Sequence, residues 1–125
     1  MINKKDLKNW ISEGDRQRSI EAIEKYIDNA IHYNAIKNKL TFCVRTGIWG
    51  NKNSEKTDFY NIWFDKNLTP ENRRIVQNSV LKKYQDEGFD VRTVKLDCGW
   101  NNSYEAVKFC NIDKVFENTS EEQHE

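Results

Sequence analysis

The stretch LDCGWNNSYEAVKF, residues 96–109, brings a thiol, an aspartate, a tryptophan and a tyrosine into a short span, and Cys98 near its start is the first candidate for chemistry. A catalytic cysteine needs a base beside it to make the thiolate. The only histidines are His32, inside a helical pattern, and His124, in the tail EEQHE, and neither has a context that pairs it with a thiol. Asp58, Asp65, Asp90 and Asp97 flank predicted strands and could supply a carboxylate pair, but aspartate at strand ends is also ordinary turn chemistry. Cys43, Cys98 and Cys110 are an odd set without CxxC spacing, which suits reduced thiols better than a disulfide framework or a zinc site. No phosphate-cradling glycine loop or dinucleotide fingerprint occurs. The expectation is a protein that is not an enzyme and holds no metal or cofactor.

Turn chemistry accounts for most of the same stretch. Asp97 and Cys98 end a strand, Gly99 permits positive φ, and Asn101, Asn102 and Ser103 bond their own backbone in turns. Trp100 is left over, because a large apolar ring at a hairpin tip must fold back onto the sheet or meet a partner. Binding chemistry is better supplied: four tryptophans, five tyrosines and six phenylalanines exceed what a thin core needs, and aromatic residues with arginine are the usual anchors of an interface. The candidate binding residues are Trp49, Trp63, Trp100, Arg45, Arg92 and Tyr104. If Arg45 and Arg92 face away from the helices with Cys43, Trp63 or Lys95, an open sheet face would carry cations and aromatic rings together. Such a face suits a protein partner or, as the alternative, a nucleic acid whose bases stack on it.

The elements that must position these residues follow from periodicity. Residues 4–11 predict a short helix, and Ser12–Asp15 supply the capping residues of a restart. From Asp15 to Asn38, Ile20, Ile23, Ile27, Ala30, Ile31 and Ala35 recur at three- and four-residue spacing, a one-faced helix. The period then falls to two in Leu40–Arg45 and again in Phe59–Phe64, predicting two strands joined by the polar loop GNKNSEKTD. Thr69, Pro70 and Glu71 form a strong helix start, and that helix should run through Val76, Val80 and Tyr84 to Gly88. Strands over 89–97 and 103–110 complete the chain.

Phe42-Cys43-Val44-Arg45-Thr46 and Phe89-Asp90-Val91-Arg92-Thr93 share four of five residues, each after a helix, and each precedes a tryptophan beside a glycine and an asparagine. This suggests a duplicated helix-plus-hairpin unit. The predicted fold class is α+β: a two-layer sandwich of about four antiparallel strands from two hairpins, with two main helices on one face. Residues 1–117 make one domain and 118–125 a flexible acidic tail.

Charge and hydropathy narrow the partners. Twenty basic and twenty acidic side chains cancel, so no global field marks a nucleic-acid binder, and any charged partner must see a local patch. No apolar run approaches the ~18 residues of a membrane span, and MINKKDLKNW lacks the apolar stretch of a signal peptide, so a cytoplasmic protein without a membrane partner is expected.

The run LKKYQDEGFDVRTVKLDCGWNNSYEAVKF, about residues 80–110, resembles a segment of small accessory proteins of tailed phages and prophages from low-GC bacteria. That resemblance implies a protein that binds and inhibits or redirects a host protein, a defence-system nuclease being one such target, in the host cytoplasm; the sequence leaves monomer and homodimer both open. It supplies no catalytic residue.

Overall fold

The structure, a computed structural model, describes residues 1–47, 57–99 and 102–116. The expected roles of Trp49, Trp100, the side chain of Cys98, the polar loop 50–56 and the tail from 117 onward fall outside the described residues. The elements in chain order are α1 (Lys4–Ile36), β1 (Phe42–Arg45), α2 (Asp58–Trp63), α3 (Pro70–Asp86), β2 (Asp90–Gly99) and β3 (Asn102–Cys110), with a short 3₁₀ turn over Ile112–Lys114. The class is α+β, as expected.

Two elements differ from expectation. Residues 4–36 form one helix, not a short helix and a restart: Asn3 caps it by accepting from Asp6 N at 2.8 Å, and Ser12 Oγ accepts from Arg16 Nη1 one turn on. The capping residues at 12–15 are spent on side-chain bonds along an unbroken helix, and Gly14 is absorbed at the modest cost a glycine carries in a helix interior. Residues 58–63 form α2, not a strand. Phe59, Ile62 and Trp63 sit at i, i+3 and i+4, so one helical face buries Phe59 and Trp63 and packs the half-buried Ile62 against the core, and the rings of Phe59 and Trp63 lie 5.5 Å apart. Among the described residues the sheet therefore has three strands, not four, and one hairpin.

The sheet order is β1-β3-β2, with β3 antiparallel to both neighbours. Two rungs define its faces. Phe42, Phe109 and Val91 lie across from one another, and so do Arg45, Ala106 and Val94. Directly opposed residues point to the same face and successive residues to opposite faces. Val44, Val91, Val107 and Phe109 thus share one face, and all belong to the core cluster with Ile23 and Ile27 of α1, Phe59 and Trp63 of α2, and Val76, Val80 and Tyr84 of α3. Each such buried side chain contributes about 1.5–3 kcal/mol relative to exposure.

α3 matches its sequence signature: Thr69 Oγ1 accepts from Asn72 N at 3.1 Å and Pro70 stands at the first helical position. Both long helices end in the same way. Asn38 and Gly88 take positive φ (59° and 103°), Asn38 N and Lys39 N donate to Ala35 O and Asn34 O, and Gly88 N and Phe89 N donate to Gln85 O and Tyr84 O. These are paired Schellman closures. Each launches a strand carrying the FxVRT residues, so a helix–closure–strand unit recurs. The helix–hairpin unit does not, because the expected return strand around Tyr60 is α2. The registers differ as well, since Val44 faces Val107 whereas Val91 faces Phe109.

α1 and α3 are tied by Tyr84, whose hydroxyl donates to Asp28 Oδ1 at 2.5 Å, and by an ion pair between Lys83 and Glu24. Burial, then the hydrogen bond and charge of Asp28, push the Tyr84 phenol well above its ordinary value of 10.0. A pKa raised by folding adds stability that is intact below the unfolded value and lost as pH climbs past it. Denaturant melts should therefore show the protein weakening above about pH 10, while Tyr84→Phe, about 1 kcal/mol less stable at neutral pH, should lack that phenol's share of the alkaline loss. Gly14→Ala should stabilise by about 0.5–1 kcal/mol if α1 is continuous, since the added Cβ meets only Arg18 Nη1 at 3.5 Å. Thermal melts check it.

Candidate functional site

β3 has two faces, and the residues that alternate with its core positions look away from the helices. On that outer face the register aligns Cys43, Lys108 and Arg92 on one rung, Arg45, Ala106 and Val94 on the next, and Tyr104 with Leu96 beyond. Ala106 is fully buried yet stands outside the core cluster. Arg45 and Arg92 are exposed, and Lys108, Val94, Leu96 and Tyr104 are half-buried. Among the described residues Asp90 is the acid of this face, opposite Cys110 on the rung next to Arg92 and Lys108 and diagonal to Lys108.

The cations are grouped. Arg92 and Lys108 are direct cross-strand neighbours, and Arg45 is diagonal to Lys108. Like charges placed directly opposite destabilise a sheet, so stability does not account for the placement of Arg92 against Lys108. None of the three ion pairs formed among the described residues involves these cations. What such a surface offers is a set of charged donors over a small apolar floor, able to accept carboxylates or phosphates with flat apolar contact beneath.

Tyr104 is held in place by a glycine. Thr46 N donates to Glu105 O at 3.2 Å, which carries the β1–β3 register one rung further, so Gly47 falls opposite Tyr104. A Cβ built on Gly47 would lie 2.8 Å from Tyr104 Cγ and 3.0 Å from its Cβ. The ring covers the bare backbone, as aromatic residues do beside strand glycines.

The six predicted binding residues thus separate. Arg45, Arg92 and Tyr104 share the outer face. Trp63 is corrected: it is on α2, 1% exposed, with its indole N–H donating to Glu105 Oε2 at 3.0 Å and its carbonyl accepting from Gln77 Nε2 at 2.9 Å. Its ring is a wedge between helix and sheet. Lys95 also leaves the set, because it pairs with Glu105 on the helix-side face. Lys108 was missed by sequence reading, and its signal was available: in YEAVKFC it alternates with Val107 and Phe109, two residues from Ala106.

Among the described residues the candidates for catalysis stay apart. His32 lies on α1, on the side of the helix away from Ile23 and Ile27, whereas the free thiols of Cys43 and Cys110 lie on the outer sheet face. Glu24, Asp28, Asp86 and Glu87 line a groove between α1 and α3, but Lys83 and Tyr84 occupy it as partners, which makes it a structural tie. Among the described residues no group of His, Cys, Asp and Glu could hold a metal ion, and no helix is long and apolar enough to cross a membrane.

Gly47→Ala should destabilise by about 1–3 kcal/mol, because the colliding atoms belong to the base of the tyrosine and not to a mobile tip. A urea melt showing no loss would mean that Tyr104 does not lie over Gly47.

Comparison with family models, with curated proteins and with solved structures finds no match to this chain.

Proposed function

We propose that this is a non-enzymatic binding protein whose outer sheet face engages an acidic patch on another protein. The observation that carries the reading is the like-charge rung of Arg92 against Lys108, with Arg45 diagonal to it, set over Val94, Leu96 and Tyr104. A cluster that weakens the sheet is retained where a partner's carboxylates neutralise it. Arginine is suited to that role because its planar fork binds carboxylates in bidentate fashion.

A protein partner is favoured over the nucleic-acid alternative by the composition of the face. Sheet-based readers of single strands stack successive bases on several exposed rings. Here the described residues offer one ring, and Tyr104 is half-buried against Gly47. The aliphatic floor of Val94 and Leu96 suits a protein surface better. That the target belongs to a bacterial host, and that binding inhibits or redirects it, rests on the sequence resemblance to phage accessory proteins.

The test is affinity capture from a Gram-positive lysate with and without nuclease treatment, comparing the native bait with Arg45→Glu and Arg92→Glu. The variants should lose the captured protein. Arg92→Glu should at the same time be more stable by about 0.2–1 kcal/mol, since it replaces a repulsive rung with an attractive one against Lys108. Capture that depends on nucleic acid and collapses steeply with salt would favour the alternative. Equal capture by all three baits would remove this face as the site.

A further inference from the structure

The N-terminal turns of α1 carry an apolar stripe that the core does not use. Leu7, Trp10 and Ile11, at i, i+3 and i+4, are 50%, 51% and 57% exposed. At ~100° per residue they lie on the opposite side of the helix from Ser19, Ile23 and Ile27, which face the core. The first bonds from α1 to α3 are those of Ser12 and Arg16 to Asn72, so residues 4–11 extend past the end of α3. Every residue from 1 to 11 is exposed. The overhang is nonetheless built to be helical: Asn3 caps it, and Ile2 and Leu7 occupy the two positions of a hydrophobic staple.

Charges flank the stripe unequally. Lys4 and Lys8 lie along one shoulder, with Arg18 further on, and Asp6 and Glu13 lie along the other. Lys4 and Lys5 also stand at the positive end of the helix dipole, where a cation is disfavoured. An acidic partner alongside would offset that.

We propose that this stripe joins two copies of the chain, pairing the N-terminal turns of α1 side by side and in parallel. A twofold axis along the helices sets each basic shoulder against the other copy's acidic shoulder, whereas an antiparallel pair would set like against like. In heptad terms Leu7 and Trp10 take the a and d seam, and Glu13 stands five residues before Arg18, the spacing at which g and e side chains meet across a parallel pair. Arg18 bonds Asp15 within its own helix but keeps its side chain 71% exposed. Since the stripe points away from the domain, the two bodies lie on the outside of the pair. The contact ends near Gly14, because Glu21 and Asp28 continue the same line and would oppose their own copies. An overhang of this length is small against the ~800 Å² per partner of a standard interface, so the dimer is weak, with a dissociation constant in the micromolar range or above. It leaves the outer sheet face free and does not depend on the binding role given to it.

Sedimentation velocity across a wide range of protein concentration tests the pairing. The native chain should shift from monomer to dimer. Leu7→Glu with Ile11→Glu should weaken association by roughly tenfold or more while its melting curve stays native, because both positions are exposed. Glu13→Arg should weaken the dimer, and adding Arg18→Glu should restore it, a rescue unavailable within one helix because the two residues are five apart. In a background with Ser at Cys43, Cys98 and Cys110, Leu7→Cys should oxidise to a disulfide-linked dimer. A native chain that stays monomeric at every concentration would overturn the proposal. So would association untouched by Leu7→Glu with Ile11→Glu, and failure of the charge swap would overturn the parallel arrangement. Binding of a monomeric chain to anionic phosphatidylglycerol vesicles through the same residues would assign the stripe to a lipid surface instead.

Discussion

β3 is hydrogen-bonded along both edges, and the residues it presents alternate between Val107 and Phe109 on one face and Ala106 and Lys108 on the other. Because the side-chain period of a strand is two, a slip of one residue would exchange those sets and place a lysine among the core rings. Register is therefore specified by the burial of Val107 and Phe109, both fully inaccessible. The grouping of Arg45, Arg92 and Lys108 on the outer face is a consequence of that burial. The proposed site and the core are two sides of one constraint.

Glu105 connects the constraint to the helices. Its backbone carbonyl accepts from Thr46 N, and its carboxylate accepts from Trp63 Nε1, so one residue of β3 fixes both the extension of β1 and the seat of α2. Around this centre the chain repeats a helix, a Schellman closure and a strand on either side of β3. α1 and α3 run parallel, bonded at Arg16–Asn72 and again at Asp28–Tyr84. β1 and β2, each antiparallel to β3, are parallel to one another. The repeated FxVRT residues reflect this arrangement, with the two copies offset by two residues along β3.

How far the sequence foretold this depends on the length of each pattern. α3 was legible because Thr69, Pro70 and Gly88 are strong punctuation around a long periodic run. β2 and β3 were legible from alternation bounded by turn residues. α2 was not, because six residues with four apolar side chains satisfy both periods; the i, i+3, i+4 set of Phe59, Ile62 and Trp63 was present, but length gave no way to choose. The continuity of α1 was hidden by Ser12, Gly14 and Asp15, whose preference for caps and turns is overruled when the helix on both sides is already formed. For the binding residues, the tie of Arg45 to Arg92 could be drawn from FxVRT alone. Lys108 and the exclusion of Lys95 needed the register, and the burial of Trp63 needed the identity of α2.

The proposed site is thus the part of the sheet that the fold does not consume: cations placed against one another, over a floor too small to be a core, beside a tyrosine seated on a glycine. Its existence stands or falls with the pairing of β3. Cross-strand nuclear Overhauser effects in solution measure that pairing most directly. The account predicts contacts from Ala106 to both Arg45 and Val94, and from Phe109 to both Phe42 and Val91. Contacts displaced by one residue, with Lys108 opposite Phe42 or Val91, would put the cations on the helix side and contradict it.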